Sequence, residues 1–591
     1  MRIMTFPNLV RYTESTQFSL KNCSVVIDGQ NYLHNVYKNS HTPFIFGTEA
    51  NKYANELRQY LRMYQQANVK CYIVLKGGDS NIEQKMQKFE HSNFEFDTNE
   101  VFIAPVLIKD VYKQVLEELH IDYALCMMES KDECVALAQR LACPVVSYDI
   151  EFCFKCAPYI PYNPMTYNTE TKSIDCQRFQ LQEFLQRNSL TEKKAAVFAT
   201  LSDTTVFPDE YFDPLLKTWS VSHEKPGMRL RNLIRWLSKN SFDDAKRYIN
   251  HALQSEVDKN KFWENVKQLV IKMRNFPPGC VTKYLSDSEL TIEQGDPQWF
   301  EKGVALKIIA PVYVNLYHWR VIEGSWVTED KSYESLLLSI DIVKYAYNLL
   351  TNFRGDTFKL YREAGSHDDI DTTSSRVTRP NYECVSSVFE NGWEAIQQFR
   401  LFEHFLHSNG IDTEILKKLP VDSTVLLIAL AYFAKQKGLN EVDVTREVYA
   451  VLLSYMMLNY ESDQEGVRRR QGHDNLNKED YRAARLATAK YFEDNQDENK
   501  RIFDGITVKR FIEFEFCLQH MNNLNILCGS PYQPTIYHRT YNGGFVYKMF
   551  YDIPEMNPDV FINQMLQSAP SVLGIIGDLM HCYRQLLGTI E

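Results

Sequence analysis

The chain has 591 residues, 44% hydrophobic and 24% charged, with a formal net charge of −11 at pH 7. That length supports at least two domains with substantial cores, and the composition is that of an ordinary globular protein. The negative charge argues against broad nonspecific affinity for nucleic acid but leaves room for a local basic face. No apolar run is long enough to cross a membrane and no signal-peptide pattern opens the chain, so an intracellular protein without a membrane partner is expected. Thirteen cysteines, several in hydrophobic segments such as those around Cys71, Cys126 and Cys143, fit reduced core thiols better than a disulfide framework.

In chain order, Ser24 to Asp28 is an apolar run that ends in a carboxylate followed by Gly29, the pattern of a buried parallel strand delivering an acid at its end. Helical spacing at Tyr53, Leu57, Tyr60, Leu61 and Tyr64 precedes a second strand, Cys71 to Leu75, followed by Lys76-Gly77-Gly78. Leu107, Val111, Val115 and Leu119 share a helix face, and a third strand, Tyr123 to Met128, runs into Glu129. The next helix turns Cys134, Leu137, Ala138 and Leu141 inward, and a fourth strand, Pro144 to Ser147, leads to Asp149 and Glu151. Parallel strands of an open α/β sheet present their carboxyl ends on one side, so Asp28, Glu129, Asp149 and Glu151 are expected in one cleft. Any one of these acids could merely cap a helix. Together they would repel one another unless cations neutralised them, and oxygen-only ligands select Mg²⁺ or Mn²⁺, the usual apparatus for cutting phosphodiesters. Cys153 and Cys156 form a CxxC without the second pair a zinc site needs.

From about Val266 the strand-and-acid pattern stops. Two elements are expected in Tyr313 to Phe353, a polar linker near 363–380, helices in Trp393 to Tyr460, and a second polar linker near 461–480 that includes Val467-Arg468-Arg469-Arg470. Helices follow at Arg482 to Tyr491 and Val508 to Gln519, then an aromatic, turn-rich stretch from Tyr532 to Tyr551, then a helical pattern from Val560 to Leu587. The many Tyr and Phe rings could stack bases but more often pack a core.

The ordered motifs VVIDG, VLKGG, Met128-Glu129 and CPVVSYDIEF, with Phe198 to Asp203 and Arg231 to Ser238, resemble the XPG-like flap endonuclease superfamily and its asteroid branch. The likeness covers roughly the first 275 residues, and the remainder only in its helical character. It implies a PIN/flap-nuclease-like parallel sheet with flanking helices over 1–275, followed by a mostly α-helical carboxy-terminal domain over 276–591. It also implies that Asp28, Glu129, Asp149 and Glu151 keep metal-ligand positions, with Asp203 an uncertain fifth. Three positions depart from the family pattern: Arg2 replaces an amino-terminal glycine, and Lys76 and Lys131 replace acids. An ammonium 4 Å from a divalent ion costs roughly 8 kcal/mol at an effective dielectric of 20. Two such lysines disfavour a full two-metal site and can pair with the remaining carboxylates instead.

In flap nucleases a basic arch guides single strands, but the corresponding stretch here, Asp79 to Glu100, holds only Lys85 and Lys88 against six acids. Arg229, Arg231 and Arg235 are the nucleic-acid-binding candidates. The expected function is a pseudo-nuclease or weakly active protein that serves as a scaffold for DNA, RNA or a protein complex, the last through the carboxy-terminal domain. The alternative is an active Mg²⁺- or Mn²⁺-dependent endonuclease acting on single-stranded or overhang DNA; the scaffold reading needs no cofactor. Lys76 and Asp149, taken as neighbouring strand ends, are expected within ion-pair distance.

Overall fold

A computed structural model describes residues 6–10, 14–39, 48–79, 105–162, 164–203, 207, 226–253, 255–274, 296–323, 335–361, 367–372, 379–380, 387–438, 441–461, 476–493 and 505–588. The chain divides into two compact units that interleave along the sequence. Unit 1 takes Met1–Asn35, Gln59–Lys76 and His120–Thr291, and unit 2 takes Val36–Arg58, Gly77–Leu119 and Ile292–Glu591. A single cut at 275/276 therefore describes the division only in part, because two excursions from the amino-terminal half belong to unit 2.

Unit 1 is built on a five-stranded parallel sheet. Its strands are β2 (Ser24–Asp28), β3 (Lys70–Leu75), β4 (Tyr123–Leu125), β5 (Val145–Ser147) and β6 (Tyr159–Pro161), in the order β4-β3-β2-β5-β6. Strand β1 (Thr16–Leu20) joins β7 (Thr166–Asn168) and β8 (Ser173–Arg178) in a separate antiparallel sheet. Both faces of β2 are buried, which is why Val25, Val26 and Ile27 form a continuous apolar run rather than an alternating one. From Gly29 to Arg274 the helices in chain order are α1 (Gly29–Asn39), α2 (Ala50–Gln66), α3 (Ile108–Glu118), which belongs to unit 2, α4 (Lys131–Arg140), the short helix Leu181–Arg187, α5 (Glu192–Ser202), α6 (Pro226–Lys239), α7 (Phe242–Ala252) and α8 (Glu256–Arg274). Val26, Val74, Val145 and Tyr159 share one core with Cys134, Leu137 and Ala138 of α4, Ala195 to Ala199 of α5, and Leu233 and Leu237 of α6. Gly29 is required where α1 leaves β2: a Cβ there would lie 2.7 Å from Ile73 Cγ2 and 3.0 Å from the Val74 carbonyl oxygen. The described cysteines are all free thiols, most of them buried.

Unit 2 is mostly helical. Its helix Thr424–Lys437 is buried nearly all round and packs on the long helix Gly505–Leu527. Within this unit Glu515 accepts hydrogen bonds from the Thr48 backbone N–H (2.8 Å) and hydroxyl (2.7 Å). Glu118 of α3 accepts from Arg58 through two bonds of 2.9 Å, and Gln114 binds the backbone of Thr535 and Tyr537. The two excursions are thus tied to the carboxy-terminal helices by polar contacts that cross hundreds of residues. No helix among the described residues is long and apolar enough to cross a membrane.

Several expectations are corrected. The strand into Glu129 ends at Leu125, so Glu129 sits on the following loop. The stretch near 363–380 is not all linker: His367–Asp371 is a strand, β11, paired antiparallel to β10 (Thr357–Tyr361), which in turn lies parallel to β9 (Val321–Glu323). The polar stretch near 461–480 already contains the start of the helix Lys478–Thr488, because the Asn477 side chain accepts the Glu479 N–H and caps it. The turn-rich stretch from Tyr532 to Tyr551 includes the helix Gly543–Asp552, capped in the same way by Asn542. Arg2, the arch beyond Asp79 and Val467 to Arg470 lie outside the described residues.

Candidate functional site

Strand β2 ends at Asp28, and its neighbour β5 ends at Ser147, two residues before Asp149. The Ser147 hydroxyl, 2% exposed as a residue, donates to Asp28 Oδ2 at 2.9 Å and accepts the Asp149 N–H at 3.0 Å. Asp149 then caps the short 3-10 turn Ile150–Phe154 by accepting the Glu151 N–H on Oδ1 at 2.9 Å. Asn31 adds two contacts, donating its backbone N–H to Asp28 at 3.4 Å and accepting the Tyr148 N–H at 3.0 Å. Asp28 is therefore both a cap for α1 and a member of the carboxylate rim.

Lysines neutralise this rim. Lys131, at the start of α4, places Nζ 2.6 Å from Asp149 Oδ2 and 2.9 Å from Glu151 Oε2. Lys155 lies 3.4 Å from the other Glu151 oxygen and 2.5 Å from Asp132, with its side chain only 2% exposed. The result is a chain of alternating charge: Asp132, Lys155, Glu151, Lys131, Asp149. Lys76 holds Glu129 at 2.8 Å. The expected Lys76–Asp149 pair is corrected, because β2 lies between β3 and β5 in the sheet and the strand next to β3 on its other side is β4, which leads to Glu129. Asp203 is buried at the carboxyl end of α5. Arg231 and Arg235 are exposed on α6, and Arg229 is half-buried.

The electrostatics follow from this geometry. Burial pushes the Asp28 carboxyl up to about 6, against the hydrogen bonds from Ser147 and Asn31 that lower it. Burial would also raise Glu151, but Lys131 and Lys155 outweigh it and hold that carboxyl at about 2. For Lys131 burial disfavours the charge, and Glu151 and Asp149 overcome it and raise its affinity for the proton. Motif reading missed Ser147 and Lys155. Ser147 was legible only as the last residue of a strand, whereas Lys155 had a signal: it stands four residues after Glu151, directly after the apolar run Phe152 to Phe154.

The resemblance implies a pair of divalent ions, and the residues present do not fit that pair. An ammonium group occupies the point where Asp149 Oδ2 and Glu151 Oε2 converge, and a second holds Glu129. Among the described residues no three His, Cys, Asp or Glu side chains are grouped to hold a metal ion.

Residues 424–591 match the family model of the Asteroid N-terminal domain. Over these residues the chain is similar to the asteroid family. A single-strand DNA endonuclease ASTE1 of Pongo abelii is 23% identical over 334 residues, which is 50% of this chain and 47% of the relative. Protein asteroid of Drosophila melanogaster is 26% identical over 165 residues, 26% of this chain and 19% of the relative. The alignment to the first thus spans about half of that relative's length. A crystal structure of human GEN1 in complex with Holliday junction DNA shares 13% identity, covers 58% of this chain and 80% of its own, and has a TM-score of 0.29. The asteroid family match falls on the carboxy-terminal helices, which corrects the expectation that this half is similar only in its helical character.

Proposed function

We propose that this asteroid-like chain is a pseudo-nuclease: a sheet of nuclease type whose carboxylate rim is closed by its own lysines, and which binds nucleic acid without two-metal cleavage. The observation that carries this reading is Lys131, set between Asp149 and Glu151 at 2.6 and 2.9 Å. A divalent ion at that point would face an ammonium group at close range, and Lys76 imposes the same repulsion beside Glu129. Arg231 and Arg235, exposed on α6, supply cations for phosphate contacts, while the net charge of −11 confines such binding to a local face. The carboxy-terminal helices are the surface for a protein partner.

The name of the relatives, single-strand DNA endonuclease, favours a second reading in which cleavage survives. It requires Lys131 to leave Asp149 and Glu151 when Mg²⁺ or Mn²⁺ and substrate arrive. The test is purified protein with labelled single-stranded, overhang and flap DNA, with single-stranded RNA as a further probe, in Mg²⁺ or Mn²⁺. The expected result is binding weakened by Arg231→Glu with Arg235→Glu, and no robust cleavage. Robust metal-dependent cleavage that disappears in Asp149→Ala would replace the scaffold reading with the enzymatic one.

A further inference from the structure

We propose that the outer edge of β1 is a docking site for an extended, uncharged polypeptide segment of a partner, which joins the β1-β8-β7 sheet as a fourth strand. This goes beyond the pseudo-nuclease reading and makes no use of the carboxylate rim. Edge strands expose a row of N–H and C=O groups, and proteins blunt such edges with short strands, charges or proline. Among the described residues the three sheets have six edge strands, and five of them are blunted. Strands β4, β6, β7 and β9 are three residues each, and β6 ends in Pro161. Strand β11 has five residues but carries Asp368, Asp369 and Asp371. Strand β1, Thr16-Gln17-Phe18-Ser19-Leu20, also has five residues, and it holds neither a charge nor a proline. Its ladder runs on one side only, from Thr16 opposite Arg178 to Leu20 opposite Ile174 of β8. The side chains follow: Gln177 donates to Gln17 at 3.1 Å, and the Arg178 guanidinium lies 4.7 Å over the Phe18 ring. Among the described residues no backbone hydrogen bond joins β1 to a strand other than β8.

The edge sets the chemistry of its occupant. An added strand supplies donors and acceptors through its main chain, and its alternate side chains set the choice of partner. One face of β1 presents Thr16, half-buried Phe18 and buried Leu20, and the other presents exposed Gln17 and Ser19. The matching segment therefore alternates apolar or aromatic residues with uncharged polar ones, so that like meets like on each face. A charged residue in it would lose hydration against a strand that offers no charge to pair with. A second copy of this chain fits less well, because a five-residue edge falls far below the roughly 20–30 residues a side of a stable interface. A peptide strand held by its main chain needs no wider contact.

The probe is a fluorescent, end-capped peptide that copies residues 15–20, whose pattern is its own complement: paired antiparallel about Phe18, it sets Gln17 against Ser19 and Thr16 against Leu20. Anisotropy with the full chain should show saturable binding of one peptide per chain. Hydrogen exchange at Thr16 to Leu20 should slow roughly tenfold at saturation. Main-chain groups of alternate residues face opposite edges of a strand, so N-methylating one alternate set of peptide residues should abolish binding and N-methylating the intervening set should leave it. Gln17→Lys with Ser19→Lys, both on the exposed face, should weaken binding roughly tenfold with melting unchanged. Gln17→Glu with Ser19→Glu repeats this test should the first variant not fold. Absence of binding at millimolar peptide, binding that survives both N-methylated sets, or protection of a segment other than β1 overturns the proposal. A dimer of the chain alone in sedimentation, with β1 protected, assigns the edge to a second copy and overturns it too.

Discussion

Asp28→Asn should stabilise unit 1 at neutral pH, the reverse of what a metal ligand or a stabilising ion-pair partner would do. Asp28 is 2% exposed, and burial lifts its carboxyl from an ordinary 3.8 to about 6 in the folded state. The folded state therefore binds more protons than the unfolded chain between these values, so stability falls as pH rises from 3.8 to about 6. At 1.36 kcal/mol per pH unit the ionised carboxylate costs roughly 3 kcal/mol above pH 6. Asparagine keeps the shape and one acceptor but gives up one of the bonds from Ser147 and Asn31, at a cost of about 1 kcal/mol. The net gain is roughly 2 kcal/mol at pH 7.5, and below pH 4 the substitution turns mildly destabilising. Hydrogen exchange of the β2 and β5 amides, measured in EDTA from pH 4 to 8, reads the effect where it acts. Equal destabilisation by Asp28→Asn at pH 4 and pH 7.5 would refute the reasoning, because it would mean that the carboxylate is stabilised in its charged form.

Three further outcomes follow from other contacts. Glu151→Gln should cost roughly 2–3 kcal/mol near pH 7, where the depressed carboxyl at about 2 contributes its full stability, and nothing once pH falls through about 2, as followed by urea unfolding. Gly29→Ala places a methyl group 2.8 Å from Leu75 Cδ2 and 3.0 Å from the Val74 carbonyl oxygen, so melting should fall by the equivalent of about 1–3 kcal/mol. Thr48→Val removes the hydroxyl that donates to buried Glu515, whose carboxyl burial pushes up to about 7. Its cost, roughly 1.5–3 kcal/mol for a bond to a charged group, should grow as pH rises through 7 and should appear as faster exchange at the α3 amides, since the Leu107 N–H also bonds this hydroxyl at 3.3 Å.

The sequence by itself determined four of the five strands of the parallel sheet, all but β6, and the acids that follow two of them. Apolar runs bounded by amphipathic helices specify parallel strands buried on both faces, and each run's end names the acid it delivers: Asp28 after β2, and Asp149 and Glu151 after β5. The lysines at 76 and 131 were legible through the resemblance, as departures from acids of the family pattern. What those lysines hold was not. Strand order decides it, and side-chain periodicity carries no information on order: β2 separates Lys76 from Asp149, so Lys76 takes Glu129 and Lys131 takes the other acids. Only tertiary structure buries Lys155 against Glu151 and threads Ser147 between Asp28 and Asp149. The same holds for the units: a linear reading cuts the chain once, whereas Thr48, Gln114 and Glu118 find their partners in Glu515, Thr535 and His538. Local patterns encode which face of an element is apolar; which distant element covers that face is settled when the whole chain has packed.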